Sequence, residues 1–295
     1  MTIRHMKIFL EVYHTENITK AAEHMHMTQP AVTRTIQEIE NYYGVKLFER
    51  INRHLYVTEI GKQLYKQALH IVDSFDNLEK TLRNGDTFGI LRVGSSITLG
   101  NFVLPELVCR FREKHPKIKI YANVSNGSNL QKALLDNHID LALVEGEVNE
   151  PDLITEPFYS DHLILILPPK HPLMQRKKIY LSDLSKYDLL LREKSSAGRI
   201  YIDNTFAVHG ISINPIWESV STQALIKAVS KGIGLSILPE MLVKDDIENG
   251  IICTKKIEDA AFARKNCIVW HKNKYFTKAA EDFRSLCKHF SDTKI

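Results

Sequence analysis

Four short clusters of hydroxyl residues hold the most concentrated binding chemistry in the chain: Ser95-Ser96-Ile97-Thr98, Ser128, Ser195-Ser196-Ala197-Gly198-Arg199 and Ser221-Thr222. Each stands where a strand-like run gives way to a helix-like one, so hydroxyls would meet the free N–H groups of a first helical turn. That combination suits a small anion. In an α/β sheet such helix starts gather at the carboxyl ends of the strands, where ligands sit. Ser96, Thr98, Ser128, Ser196 and Thr222 are the candidate ligand contacts. The same residues serve equally well as ordinary helix caps.

A second constellation lies in the first sixty residues. Gln29, Thr33, Arg34 and Gln37 share the polar face of a helix that starts at Thr28-Gln29-Pro30 and carries Val32, Ile36, Ile39 and Tyr43 on its apolar face. Proline is tolerated in a first turn, and Gly44 stops the helix. Arginine and glutamine have the donor forks that read base edges in a major groove. The basic tip Arg50-Ile51-Asn52-Arg53-His54, between short apolar runs at 45–48 and 55–57, would set Arg50 and Arg53 beside a phosphate backbone. Residues 1–58 hold seven Lys and Arg against six acids, so net charge alone leaves open a helical module with a merely polar outer face. Distribution favours nucleic acid: Arg34, Lys46, Arg50 and Arg53 fall on one side, Glu11, Glu16 and Glu23 on the preceding helices.

Enzyme chemistry finds no footing. There is no nucleophile elbow, Walker loop or dinucleotide fingerprint, and Gly232-Ile233-Gly234 reads as a helix-to-strand turn. No cofactor is expected. His24 and His26, two apart on a helix, point to different sides and make no metal pair. Cys109, Cys253, Cys267 and Cys287 contain no C-x-x-C, which excludes a disulfide framework or zinc knuckle. Cys253 and Cys267 are left as either a redox pair or packed apolar side chains.

The elements that position these groups follow from periodicity. Met6, Phe9, Leu10 and Tyr13 mark a first helix; Ile18, Ala21, Ala22 and Met25 mark a second, with Thr19 as its cap. Three helices and a small hairpin make a winged helix-turn-helix. From Glu59 to about Asp86, Leu64, Ala68, Ile71, Phe75, Leu78 and Leu82 form a heptad seam on a rod of roughly 40 Å. Its flanks are polar and mixed in sign, which favours pairing with a second copy over packing on its own domain. Asn84-Gly85-Asp86 breaks it.

Beyond residue 86, strands alternate with helices in two series, one from 91 to 144 and one from about 162, predicting an α/β fold with a largely parallel sheet. A last strand near Cys267-Ile268-Val269-Trp270 and a final helix through Phe276, Phe283 and Phe290 rejoin the first lobe. The chain has 295 residues, 44% of them hydrophobic and 25% charged, with a formal charge of +4; this is an ordinary globular composition that permits a nucleic-acid partner without demanding one. The start lacks the apolar core of a signal peptide, and no stretch approaches about 18 apolar residues. A reduced, cytoplasmic protein with no membrane partner is expected.

Ala21-Ala22-Glu23, Thr28-Gln29-Pro30-Ala31-Val32-Thr33-Arg34-Thr35-Ile36, Ile39-Glu40, Gly44-Val45-Lys46-Leu47-Phe48-Glu49-Arg50 and Thr58-Glu59-Ile60-Gly61 together closely resemble the DNA-binding domain of LysR-type transcriptional regulators. Thr33 stands where the family usually has serine, and keeps the hydroxyl. The remainder resembles the family's effector-binding domain, a two-lobed fold similar to type 2 periplasmic binding proteins. Its markers are Leu104-Pro105, Phe111-Arg112-Glu113-Lys114-His115-Pro116, Asp140-Leu141-Ala142-Leu143 and the run from Val229 to Pro239.

The resemblance implies DNA contacts from Gln29, Pro30, Thr33, Arg34 and Arg53, and effector contacts from Ser96 and Thr98 first, then Ser128, Ser196 and Thr222. Many members carry Ser-Gly-Thr-Arg where this chain has Ser196-Ala197-Gly198-Arg199, so the hydroxyl before the arginine is missing here. The implied organisation is a DNA-binding domain at 1–58, a dimerising linker helix at 59–86 and an effector domain at 87–295. Lobe I of the latter is about 87–161 and 267–295, lobe II about 162–266. Implied partners are operator DNA, a small anionic effector, further copies of the chain in a dimer or homotetramer, and RNA polymerase. The alternatives are a solute-binding protein or an α/β enzyme.

Overall fold

The computed structural model describes residues 1–52, 54–84, 89–146 and 148–290. The chain forms two compact units. One comprises Met1–Gly89 with two short returns, Leu135–His138 and Asn273–Thr277; the other is built from residues 90–134, 139–272 and 278–290.

In the first unit, α1 (Ile3–Thr15), α2 (Ile18–His24) and α3 (Gln29–Tyr43) precede a hairpin of β1 (Phe48–Ile51) and β2 (His54–Val57), and α4 (Glu59–Asn84) follows. Asn17, rather than the expected Thr19, caps α2: its Oδ1 accepts the N–H groups of Thr19 at 2.9 Å and Lys20 at 3.1 Å. Asparagine's carbonyl at the position before the first turn reaches those amides, whereas Thr19 is already inside it. Phe9, Val12, Ala21, Val32, Ile36, Ile39 and Leu47 close one apolar core. Tyr43 is exposed, edge-on to Tyr42 at 4.8 Å, and the inward place in the last turn of α3 belongs to Glu40. Gly44 ends the helix at φ 66°, the left-handed geometry that glycine adopts without a Cβ penalty.

The seam of α4 divides. Leu64 and Ala68 pack into the winged-helix core, while Ile71, Phe75, Leu78 and Leu82 are exposed. Tyr65 stacks on Tyr13 with centroids 3.9 Å apart, and Lys7 reaches Asp76 at 2.7 Å, fixing α1 along α4. Lys274 of one return donates to Asp73 of α4 at 2.7 Å and to Asn137 of the other return at 2.8 Å. Gly85 and Asp86, expected to end the rod, lie outside the described residues.

The second unit carries β3 (Gly89–Ser95), α5 (Ile97–Phe102), α6 (Leu104–Lys114), β4 (Ile118–Val124), α7 (Gly127–Leu135) and β5 (Leu141–Glu145), then β6 (Leu153–Leu167), α8 (Leu181–Leu184) and β7 (Leu190–Arg192). There follow α9 (Ala197–Val208), β8 (Trp217–Ser219), α10 (Thr222–Ser230), β9 (Ser236–Pro239), α11 (Glu240–Glu248), β10 (Cys253–Thr254), β11 (Ala263–His271) and α12 (Lys278–Lys288). The main sheet has the order β10-β6-β11-β5-β3-β4, with β9 also on β6. The expected parallel pairing holds for β3 with β5 and for β7 with β8. The long strands β6 and β11, however, pair antiparallel with each other from Ala263↔His162 to His271↔Leu153. The sheet is therefore mixed, because the chain returns from its second series along β11 instead of through a crossover helix. Leu163, Leu165, Leu191, Ile202, Phe206 and Ile237 anchor one core beside the second series; Leu225, Val229, Leu238 and Val243 anchor another.

Candidate functional site

The polar face of α3 is open. Gln29, Pro30, Arg34 and Gln37 are exposed and Thr33 is half-buried, while the opposite face is sealed in the core. Gln29 Nε2 donates to Thr33 Oγ1 at 3.0 Å, and Thr33 Oγ1 donates to the Gln29 carbonyl at 3.0 Å, so these side chains are ordered along one turn. Arg34 Nε holds Glu38 at 2.9 Å on the surface. Arg50 is exposed on β1; Arg53 lies outside the described residues. The wing is tied to α3 by Glu40, whose Oε1 accepts the N–H groups of Leu47 at 2.8 Å and Phe48 at 3.3 Å and whose Oε2 takes Lys46 at 3.0 Å. Sequence reasoning missed that clamp, since a glutamate on a helix reads as solvated.

The hydroxyl clusters of the second unit divide by role. Ser96 precedes α5 but makes no cap bond; its Oγ is buried and has no hydrogen-bond partner. Thr98 is buried in the first turn of α5. Ser128 is exposed and donates to Asn126 Oδ1 at 3.0 Å; that oxygen also accepts the Asn129 N–H. Ser196 precedes α9, again with no side-chain cap bond. Thr222 Oγ1 accepts from Arg192 Nη1 at 3.3 Å, and the capping itself falls to Ser221, which accepts the Ala224 N–H at 3.3 Å. Capping therefore accounts for Ser221 but not for Ser96 or Ser196.

Charged groups line the same unit. Arg199 is buried and bound by Asp203 at 2.7 Å and Glu218 at 2.9 Å. Burial alone would lower its pKa, but the two carboxylates raise it. On the antiparallel pair, Arg264 donates through Nε and Nη2 to both oxygens of Asp161 at 2.7 Å, the bidentate geometry that suits guanidinium and carboxylate. Glu145 stands 3.8 Å from Nη2. Burial again works against the charge, and the two carboxylates still hold Arg264 above its usual pKa. The side-chain amide of Asn266 is fully buried without a partner.

The other candidates separate. His24 pairs with Glu11 at 2.7 Å, and among the described residues no group of three or more potential metal ligands comes together. Cys253 and Cys267 pair with Leu167 and Pro157 of β6, ten residues apart, so roughly 30 Å of strand separates them and no disulfide can join them. No described helix is long and apolar enough to cross a membrane.

Family models match both units. One, described as a bacterial regulatory helix-turn-helix protein of the lysR family, matches residues 3–62; another, the LysR substrate binding domain, matches residues 84–291. The chain is similar to the HTH-type transcriptional regulator YeiE of Escherichia coli K12, 28% identical over 287 residues that cover 97% of each chain. It is also similar to the HTH-type transcriptional regulator CysL of Bacillus subtilis, 28% identical over 96% of this chain and 95% of that one. Among solved structures, a full-length OxyR variant from Pseudomonas aeruginosa has the same fold, with a TM-score of 0.72 at 20% identity, covering 98% of this chain and 94% of that one. The regulatory domain of Synechocystis CcmR, solved in complex with 2-PG, gives 0.63 at 24% identity over 68% of this chain and 96% of its own.

Proposed function

The chain belongs to the LysR family of bacterial transcriptional regulators, DNA-binding proteins with an effector-binding domain, and on that premise we propose how its parts divide the work. Residues 1–58 read operator DNA, residues 59–86 dimerise, and residues 87–295 bind a small anionic effector between lobe I (about 87–161 and 267–295) and lobe II (about 162–266). The observation that carries the reading is the exposed row Gln29, Thr33, Arg34 and Gln37 on a helix whose other face is core. Pro30 starts that helix, and Arg50 and Arg53 hold the phosphates beside it. The exposed Ile71, Phe75, Leu78 and Leu82 support self-association into a dimer and then a homotetramer, working in the cytoplasm.

Ser96, Thr98, Ser128, Ser196 and Thr222 are the effector contacts. The buried Ser96 hydroxyl, which has no partner of its own, supports its place first among them. The effector acts by binding one arrangement of the oligomer more tightly than another, since only differential affinity can shift such a balance.

Footprinting on the DNA upstream of its own gene tests the first part: protection is expected, and its absence overturns the DNA reading. A screen of small organic and inorganic anions by thermal shift tests the second. A ligand at a hundred times its Kd should stabilise the chain by about 2.7 kcal/mol, and a flat screen overturns the anionic effector.

A further inference from the structure

Gly198 opens an unusual space at the start of α9. A methyl group placed there would lie 3.4 Å from Arg264 Nη1, 3.7 Å from Ser196 Oγ and 4.0 Å from Leu163 Cδ1. The guanidinium is therefore directed at the first turn of α9. Its Nε and Nη2 are spent on Asp161, and Nη2 also faces Glu145, but Nη1 makes no hydrogen bond. The Arg264 side chain is only 6% exposed, so an unanswered donor there sits in a nearly dry place.

The helix start contributes donors as well. Ser196 provides no side-chain cap, which leaves the N–H groups of Ala197, Gly198 and Arg199 without partners from their own helix. Everything facing this space donates: two N–H bonds of Nη1, the Ser196 hydroxyl and the positive end of a helix of 12 residues. Only an acceptor-rich group matches such a set. Asp161 holds the guanidinium in place from behind.

We propose that Arg264 is the charge partner of the effector, and that an oxyanion of the ligand, a carboxylate, sulfate or phosphate group, occupies the space beside Gly198 between Nη1 and the first turn of α9. Gly198 stands where many relatives have threonine, so this chain replaces a hydroxyl with room and a guanidinium. The inference rests on the reading of residues 87–295 as the effector-binding part and adds the residue that answers the ligand's charge.

The test uses the full chain and three probes, sulfate, phosphate and acetate, titrated at matched ionic strength against chloride and followed by melting temperature and calorimetry. At least one probe should bind the wild type saturably, and the order among them tells which oxyanion the space prefers. Arg264→Gln with Asp161→Asn replaces the buried ion pair by a neutral pair that can still hydrogen-bond, which keeps the fold testable. It should weaken probe binding roughly 10- to 150-fold, the worth of a charge-assisted hydrogen bond. Gly198→Val, whose Cβ would meet nothing closer than 3.4 Å, should fill the space and weaken binding at least about tenfold with the melting point of the free protein retained.

Wild-type affinity in the Arg264/Asp161 pair variant, or in Gly198→Val, overturns the inference. If Ser96→Ala with Thr98→Ala abolishes probe binding while the Arg264/Asp161 pair variant does not, the effector reading stands and this inference falls. The reverse result leaves Arg264 as the anchor and removes Ser96 and Thr98 from the site. No saturable binding of any probe to the wild type overturns both.

Discussion

Replacing Arg34 by alanine should weaken operator binding, and the structure lets the size be worked out. The side chain is 82% exposed, and its one ion pair is to Glu38, one helical turn along at 2.9 Å. An exposed i,i+4 pair contributes only about 0.3–0.5 kcal/mol, so exchanging Glu38 for a base costs little. A bidentate guanidinium on a base edge contributes about 1–3 kcal/mol of discrimination. The net loss for Arg34→Ala should therefore be roughly 0.5–2.5 kcal/mol, and it should be confined to the operator sequence. Glu38→Gln releases the arginine and should tighten operator binding about twofold. In the Arg34→Ala background that gain should shrink, giving a coupling of a few tenths of a kcal/mol in the double-mutant cycle. Fluorescence anisotropy on operator and scrambled duplexes, at several salt concentrations, reads all four proteins. If Arg34→Ala loses affinity equally on both duplexes and its salt slope falls by about one, the guanidinium holds a phosphate and the base-reading argument is wrong.

Three further outcomes follow from other contacts. Glu40→Ala strands the buried N–H groups of Leu47 and Phe48 and should destabilise the winged-helix unit by about 2–4 kcal/mol in urea titration; a change under about 0.5 kcal/mol would mean that the clamp is idle. Leu78→Asp puts a charge on the exposed apolar stretch of α4 and should reduce the oligomer seen by light scattering, which an unchanged mass would contradict. The backbone N–H of Tyr180, helped by Arg176 and Lys186, holds the Asp183 carboxyl below its ordinary pKa. Its contribution is fully present above the ordinary carboxylate range and is lost as pH falls through the lowered value, so Asp183→Asn should flatten the acid side of the stability profile, and a profile of unchanged slope refutes this.

Local signals made the first eighty residues legible and left the site half-read. The helices at 3–15, 18–24 and 29–43, the hairpin and the rod each carry their own periodicity, and Pro30 and Gly44 mark the ends of α3. What periodicity could not tell was which partner an apolar stripe would meet. Leu64 and Ala68 continue the same seam as Leu78 and Leu82, yet the first two are taken up by the winged-helix core. Only tertiary packing makes that division. Beyond residue 86, β6 was visible only where its apolar run starts at 162, because residues 153–161 alternate and include Pro157, Glu156 and Asp161. Helix α11 escaped notice because Glu240, Lys244, Asp245, Asp246 and Glu248 crowd its nine residues.

The effector candidates show the same limit from the side of chemistry. A serine before a helix has one sequence signature and two possible jobs, and only the hydrogen-bond partners separate them. Ser221 caps its helix while Ser96 and Ser196 do not, although all three look alike in the chain. Arg264 had no signature at all. Its partner Asp161 is 103 residues away on the opposing strand, and the space it faces exists because position 198 lacks a Cβ. A missing side chain leaves no residue type to notice, and an arginine in a strand reads as a surface charge until its burial is known. The cost of burying that guanidinium is offset by Asp161, and burying both ions stabilises the fold little compared with a hydrophobic pair of the same size. Such a pair is better explained by what it holds in place, and the group it holds in place is the free Nη1 beside Gly198.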